Sequence, residues 1–318
     1  MKVLAYAGCE EIALVYVVEY GPQKMVECVE SLQPPIPRHE KWVLLVSTMF
    51  GCPVGCQMCD AGGYYQGKLS KDEILAQIDF LVRKRYPDGI IPARNFKIQF
   101  ARMGEPALNL SVLDVLDELP LRYQAPGLMP SLSTIAPLGS ERFFARLLEI
   151  KRQKYPHGRF QFQYSLHTTD EKVRDQIIPV KKWDFARLAS YGEQFYQPGD
   201  RKITLNFALA HGTPLDPRVL LSYFDPERYL VKITPLNPTH HAVNNGLTSY
   251  IDPQKIPESE TSETVQALRQ AGYQVIVSIG AVEENAIGSN CGQYVLRHMQ
   301  AQAALQDAYS YTLQEYGD

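Results

Sequence analysis

From residue 42 onward the chain alternates between two hydrophobic rhythms. Continuous apolar runs occur at WVLLVST (42–48), NFKIQFA (95–101), LMPSLST (128–134), RFQFQYSL (159–166), KITLNFALA (202–210), YLVKITPL (229–236) and YQVIVSI (273–279). Each is short and rich in β-branched or aromatic residues, so each predicts a strand. Between them lie segments with apolar residues at helical spacing: SKDEILAQIDFLVRKRY (70–86), LSVLDVLDEL (110–119) and SERFFARLLEIKRQ (140–153). The first opens on Ser70 with acids in its first turn and closes on Arg83, Lys84 and Arg85, as capping and the helix dipole favour. Further helical patterns fall at Asp170–Gln176, Trp183–Phe195, Asp216–Phe224 and Glu260–Ala271. The tail from Cys291, CGQYVLRHMQAQAALQDAYSYTLQEY, reads as one long helix.

The first forty residues follow another pattern. EIALVYVVEY (11–20) and KMVECVESL (24–32) flank Gly21-Pro22 and read as a β-hairpin. LQPPIPRHEK (32–41) follows, and its prolines exclude regular structure. The expected organisation is a hairpin and connector over 1–40 and a main domain over 41–318. Strands alternating with helices specify parallel β-α units. Six or seven such units close wholly or partly into a barrel, with sites at the C-terminal ends of the strands.

Composition narrows the class. The chain has 318 residues, 45% of them hydrophobic, which is enough for a buried core and excludes wholesale disorder. No run approaches the roughly 20 apolar residues of a membrane span. The N-terminus is too acidic and strand-like for a signal peptide, so the expected location is the cytoplasm. A net charge of −3 gives no general attraction to nucleic acid, although a local basic patch could still bind it.

Three of the six cysteines fall in GCPVGCQMCDAG, with spacing C-x3-C-x2-C: Cys52, Cys56 and Cys59. Thiolates are the ligands that iron–sulfur clusters and zinc select. Three close cysteines hold three irons of a four-iron cluster and leave the fourth open to a small molecule. Zinc would want a fourth ligand, and the loop holds no His or further Cys. The remaining reading is three structural thiols.

This loop resembles the signature of the radical SAM superfamily. Further segments resemble, in order, motifs of its RlmN/Cfr-type methyl synthases. Arg102-Met103-Gly104-Glu105-Pro106 with Asn109 is similar to GMGEPLLN, with Arg102 in place of the first Gly. Leu132-Ser133-Thr134 is similar to LST, and Ser165-Leu166-His167 to SLH. Ile178-Pro179-Val180-Lys181-Lys182 is similar to MPVNKKY without its Asn, Pro235-Leu236-Asn237-Pro238 to PFNP, and Cys291-Gly292-Gln293 to CGQL. The resemblance spans roughly residues 20–300.

The resemblance implies a partial (β/α)6-type radical SAM barrel in the α/β class, with an N-terminal hairpin and a C-terminal helix. It implies a [4Fe-4S] cluster on Cys52, Cys56 and Cys59, whose open iron chelates S-adenosylmethionine (SAM). Met58 stands where relatives usually carry an aromatic residue. Gly104, Glu105, Ser133, Ser165, Leu166, His167 and Asn237 are implied SAM contacts, with Glu105 accepting from the α-ammonium. Against this, Glu105 has a plainer reading as a helix-capping acid, and strand-end serines as turn residues. Cys291 is the implied methyl carrier. One SAM methylates it, and a second yields the 5′-deoxyadenosyl radical that takes a hydrogen from the S-methyl group. The resulting carbon radical adds to an sp2 carbon, an RNA adenine in the family. An electron donor such as flavodoxin or ferredoxin is implied as a partner. Glu27, in Val26-Glu27-Cys28-Val29, resembles the segment that supplies the family's proton-accepting glutamate.

Two departures stand out. The family's second cysteine, seven residues before the first cluster cysteine, is Leu45 here, and Cys28 is the candidate substitute. About forty residues precede the first barrel strand, so the helical accessory domain that RlmN-type enzymes use on RNA is expected to be missing. The alternative function is therefore a radical SAM enzyme of the same architecture acting on a small molecule or peptide.

Overall fold

The computed structural model describes residues 1–252, 261–278, 282–289, 294–295 and 311–317. The strands are β1 (Lys2–Cys9), β2 (Ala13–Gly21), β3 (Lys24–Ser31), β4 (Lys41–Val46), β5 (Met49–Phe50), β6 (Gly67–Lys68), β7 (Asn95–Phe100), β8 (Leu128–Thr134), β9 (Gln161–Ser165), β10 (Ile203–Leu209), β11 (Tyr229–Pro235), β12 (Val275–Val277) and β13 (Gln314–Glu315). The helices are α1 (Lys71–Arg85), α2 (Ser111–Arg122), α3 (Glu141–Lys154), α4 (Glu171–Ile177), α5 (Phe185–Phe195), α6 (Pro217–Leu221), α7 (His240–Asn244), α8 (Glu263–Gln270) and α9 (Val282–Ile287).

All strands but β5 and β6 join one sheet, in the order β12-β11-β10-β9-β8-β7-β4-β3-β2-β1-β13. From β4 to β12 every pairing is parallel, and the strands lie in chain order. That is the arrangement repeated β-α crossovers produce. The sheet ends at β12 and β13 among the described residues, so it is an open, partial barrel. Loops draw its two sides together at the C-terminal end of the parallel strands, as set out below.

The alternation along the strands sorts the side chains. On β7, Phe96, Ile98 and Phe100 are fully buried, while Lys97 and Gln99 on the opposite face are half-buried. The apolar face receives the helices. Trp42 stacks on Phe96 with ring centroids 4.9 Å apart. Helix α1 buries Ile74, Leu75, Ile78, Leu81 and Val82, each worth roughly 1.5–3 kcal/mol on transfer from water. Its start is fixed by the expected cap, since Ser70 and Glu73 form a reciprocal capping box.

The N-terminal element differs from the expected hairpin. It is a three-stranded antiparallel meander, because Lys2–Cys9 also forms a strand against β2. The run KVLAYAGC carries two alanines and a glycine, which have weak β-preference alone. Its pairing with β2 makes it a strand. The meander continues directly into the main sheet through the antiparallel β3–β4 pair. The expected C-terminal helix falls mostly on residues 296–310, outside the described residues. Its predicted end is not helical: Gln314–Glu315 pair with β1. Tyr316 packs edge-on against Tyr6, Tyr16 and Phe80, and this aromatic contact draws the tail onto the sheet edge.

Candidate active site

The segment between β4 and α1 carries Cys52, Cys56 and Cys59 and leaves the sheet at the C-terminal end of β4. Its base is anchored by the turn after β7. The amides of Thr48 and Met49 both donate to the Met103 carbonyl, at 2.7 and 3.2 Å. Asn109 Nδ2 donates to the Thr48 and Leu69 carbonyls, at 2.8 and 2.7 Å, and so ties both ends of the segment. Gly51 has φ +74, and a Cβ there would meet the Tyr64 carbonyl oxygen at 1.5 Å, so only glycine fits. Gly104 has φ +96, and a Cβ would lie 2.7 Å from Met49 and Thr48 side-chain atoms. The Gly-Glu dipeptide thus lets two loops touch.

The far end of the segment reaches across the mouth to the loop after β11. Thr239 Oγ1 donates to the Met58 carbonyl at 2.9 Å. The buried Asp60 carboxylate accepts from the amides of His240 at 3.0 Å and His241 at 2.8 Å. The Gln57 amide donates to the Ile177 carbonyl at 2.9 Å, fixing the segment to the end of α4. Met58 packs in an apolar cluster with Val54, Ile135, Ile177, Ile178 and Leu236. Asp60 was not a sequence candidate. Its signal was its place directly after the last cysteine of the motif, with a buried carboxylate needing donors.

Burial pushes the Cys52 thiol up to about 11 and the Cys56 thiol up to about 12. Backbone amides of Val54, Glu105 and Gly55 oppose this at Cys52 by bonding to its sulfur. All three cysteines are half-buried, and none forms a disulfide among the described residues. Among the described residues, no three His, Cys, Asp or Glu side chains converge into a metal-binding group. The chemistry of the donors nonetheless fits an iron–sulfur cluster. They are soft sulfurs on one loop, with amides aimed at one of them to stabilise negative charge.

The other predicted residues gather at the same ends of β7, β8, β9 and β11. Glu105 is buried and caps the short turn Pro106–Leu108, accepting from the Ala107 amide at 3.0 Å. It also accepts from Thr134 Oγ1 at 2.5 Å and from the Ile135 amide at 3.0 Å. Burial outweighs these bonds and raises its carboxyl to about 7. The capping role is therefore present, and it links β7 to β8. Ser133 Oγ accepts from Gln163 Nε2 at 3.0 Å. The amides of Leu166 and His167 donate to the Asn206 carbonyl, at 3.0 and 3.2 Å. His167 has φ +66, and its Nδ1 accepts from the Ala208 amide at 3.0 Å. Burial lowers it to about 4, so its ring is neutral at ordinary pH. Asn237 is half-buried, and its carbonyl accepts from the Thr239 amide at 2.8 Å.

Glu27 is fully buried on β3 and paired with Arg102, the residue that departs from the family motif. Leu45 lies opposite Val29 on β4, so it shares the sheet face of Glu27. Cys28 points to the other face, directly across from Tyr16, and burial pushes its thiol far up. The pleat therefore turns the candidate substitute away from the face where Leu45 sits. Cys291 lies outside the described residues.

No family model matches the chain. The chain is 26% identical over 267 residues to a probable dual-specificity RNA methyltransferase RlmN of Thermus thermophilus, covering 82% of this chain and 70% of that protein. It is 26% identical over 275 residues to the protein of the same name from Desulfitobacterium hafniense, covering 84% and 71%. Among solved structures, a radical SAM methyltransferase from Sphaerobacter thermophilus matches with a TM-score of 0.65 at 21% identity, covering 92% of this chain and 80% of that one. Among the described residues no helix is long and apolar enough to cross a membrane. Sequence likeness along most of the chain and fold likeness across nearly all of it converge: the protein is an enzyme similar to the RlmN-named RNA methyltransferases, and it shares the fold of that radical SAM methyltransferase.

Proposed function

We propose that this enzyme binds a [4Fe-4S] cluster through Cys52, Cys56 and Cys59 and SAM beside it, and methylates an unreactive sp2 carbon through S-methyl-Cys291. The observation that carries this reading is the placement of the cysteine segment. It spans the C-terminal mouth of the parallel strands, anchored on one side by Met103 and Asn109 and on the other by Thr239 and Asp60. When bound, the cluster would supply the electron that cleaves SAM. Gly104, Glu105, Ser133, Ser165, Leu166, His167 and Asn237 line the adjoining strand ends and would hold SAM. His167 is neutral and its Nδ1 accepts from the Ala208 amide, so its Nε2–H would be a donor toward SAM that adds no charge to the site. The partial barrel would keep water from a reactive radical. RNA is the substrate by likeness to the RlmN-named relatives, and adenine is the base by the motif resemblance. An external one-electron donor and a cytoplasmic setting belong to the same reading, as does the division into 1–40 and 41–318.

One observation favours a second reading. The face bearing Glu27 and Val29 presents Leu45 where the family has its second cysteine, and Cys28 points away. An adduct to Cys291 would lack that resolving thiol. A 5′-deoxyadenosyl radical reaction on a small molecule or peptide needs none.

Mass spectrometry of Cys291 in anaerobically reconstituted protein incubated with SAM separates the two. One added methylene mass on Cys291 supports the methyl carrier. An unmodified Cys291 with 5′-deoxyadenosine still formed overturns it in favour of the second reading.

A further inference from the structure

Arg102 and Glu27 stand far apart in sequence, yet both side chains are completely buried and form an ion pair. Arg102 Nε donates to Glu27 Oε2 at 3.1 Å, and Nη2 donates to the same oxygen. The guanidinium has donors to spare, and they reach the last described residues before Cys291 in the chain. Nη1 donates to the Ser289 carbonyl at 2.8 Å and Nη2 to the Gly288 carbonyl at 3.0 Å. The second Glu27 oxygen accepts from the amide of Val295, which follows Cys291 in sequence, at 2.7 Å. Val295 and Ser289 are both buried, and Tyr294 Oη donates to the Ile287 carbonyl at 2.7 Å. One buried ion pair therefore holds both flanks of the Cys291 segment.

Both partners are rooted in the sheet. Glu27 lies in the middle of β3, whose Ser47 neighbour donates from Oγ to the Glu27 carbonyl at 2.5 Å. The Arg102 amide donates to the Val46 carbonyl at 3.2 Å, just after β7. A lone carboxylate or guanidinium at these positions would carry a large desolvation penalty. Paired and fully hydrogen-bonded, the two are tolerated, and their spare valences are fixed in direction. A merely space-filling pair would not need its outer donors and acceptor spent on Gly288, Ser289 and Val295.

We propose that Arg102 and Glu27 are positioning residues that clamp the two flanks of the Cys291 segment to the wall formed by β3 and the turn after β7. This gives the Arg102 departure from the family motif a purpose, and it spends the Glu27 carboxylate on structure. The inference rests on the S-methyl-Cys291 reading for its catalytic meaning, though the clamp itself is a claim about the described residues.

The test uses full-length, cluster-reconstituted protein under anaerobic conditions. Two quantities are read: hydrogen exchange of peptides covering Val295, and the alkylation rate of Cys291 by iodoacetamide. Arg102→Met is expected to raise both at least tenfold, while peptides from β8 and β10 exchange as in wild type. Arg102→Lys restores one bond to Glu27 and is expected to recover part of the protection. If Arg102→Met fails to fold, seen as fast exchange in β8 and β10, the double variant Glu27→Leu/Arg102→Met is read instead. It leaves no buried charge unpaired but also no clamp, so the same rise is expected. Wild-type exchange at Val295 and wild-type alkylation in the folded variant overturn the clamp. Wild-type Cys291 that never gains a methyl group overturns the functional reading instead and leaves the exchange result standing.

Discussion

Replacing Asp60 by Ala tests whether the mouth is held shut by the bonds described above. The carboxylate is almost completely buried and accepts from two consecutive amides, His240 at 3.0 Å and His241 at 2.8 Å. A hydrogen bond to a charged group contributes about 1.5–3 kcal/mol. Both amides belong to half-buried residues, so water replaces part of the loss. The expected cost is about 3 kcal/mol. Asp60→Asn is not a full rescue. The two amides approach different oxygens, and an asparagine would turn a donor NH2 toward one of them. Its expected cost is about 2 kcal/mol, between Ala and wild type. Urea unfolding gives the free energies, and hydrogen exchange over residues 238–245 localises them. Thr239 keeps its own cap on the Ala242 amide, so α7 persists while its tie to the cysteine segment loosens. An Asp60→Ala protein within about 0.5 kcal/mol of wild type would refute the reasoning, since that is the scatter of an ordinary surface change.

Other outcomes follow from the same geometry. Gly104→Ala forces φ +96 on an alanine and drives its Cβ into Met49 and Thr48, so it should cost at least about 2 kcal/mol in urea unfolding. His167 gives a pH signature. Its folded value near 4 lies below the unfolded value of 6.5, so the unfolded state binds more protons between them. Stability is full above pH 6.5 and falls as pH drops toward 4, by up to about 3 kcal/mol. His167→Gln should flatten that part of the curve, and an unchanged pH dependence would count against the buried neutral ring. Cys52→Ala, Cys56→Ala or Cys59→Ala should abolish both iron–sulfur absorbance and 5′-deoxyadenosine formation after reconstitution. Continued SAM cleavage in any of them would remove the cluster assignment.

The family motif is read differently once its residues are seen in place. Asn109, Gly104 and Glu105 look from sequence like a ligand-binding signature. In the fold they also build the mouth: Asn109 ties the cysteine segment at both ends, Gly104 permits loop contact, and Glu105 joins β7 to β8. The two roles are compatible. Residues that position a site must be as fixed as those that touch its ligand.

The sequence by itself determined the order of the parallel strands and of the main helices between them, because burial on one face writes a period of two or of 3.6 into the chain. It placed the cysteine segment after the first parallel strand, and the capping of α1 was legible from Ser70 and Glu73. It also carried the likeness to RlmN-type enzymes, since those motifs are local runs. What it could not carry were relations between residues distant in the chain. Strand β1 became a strand only by pairing with β2, and Gln314–Glu315 left the helical pattern only because β1 offered an open edge. Glu27 reads as a candidate proton acceptor, and the sequence does not show that Arg102 stands beside it. Asp60 is not a sequence candidate, and only the fold brings two amides from the loop after β11 to its carboxylate. Local propensity comes from a residue and its near neighbours. Buried charge needs a partner, and only the tertiary structure decides which one arrives.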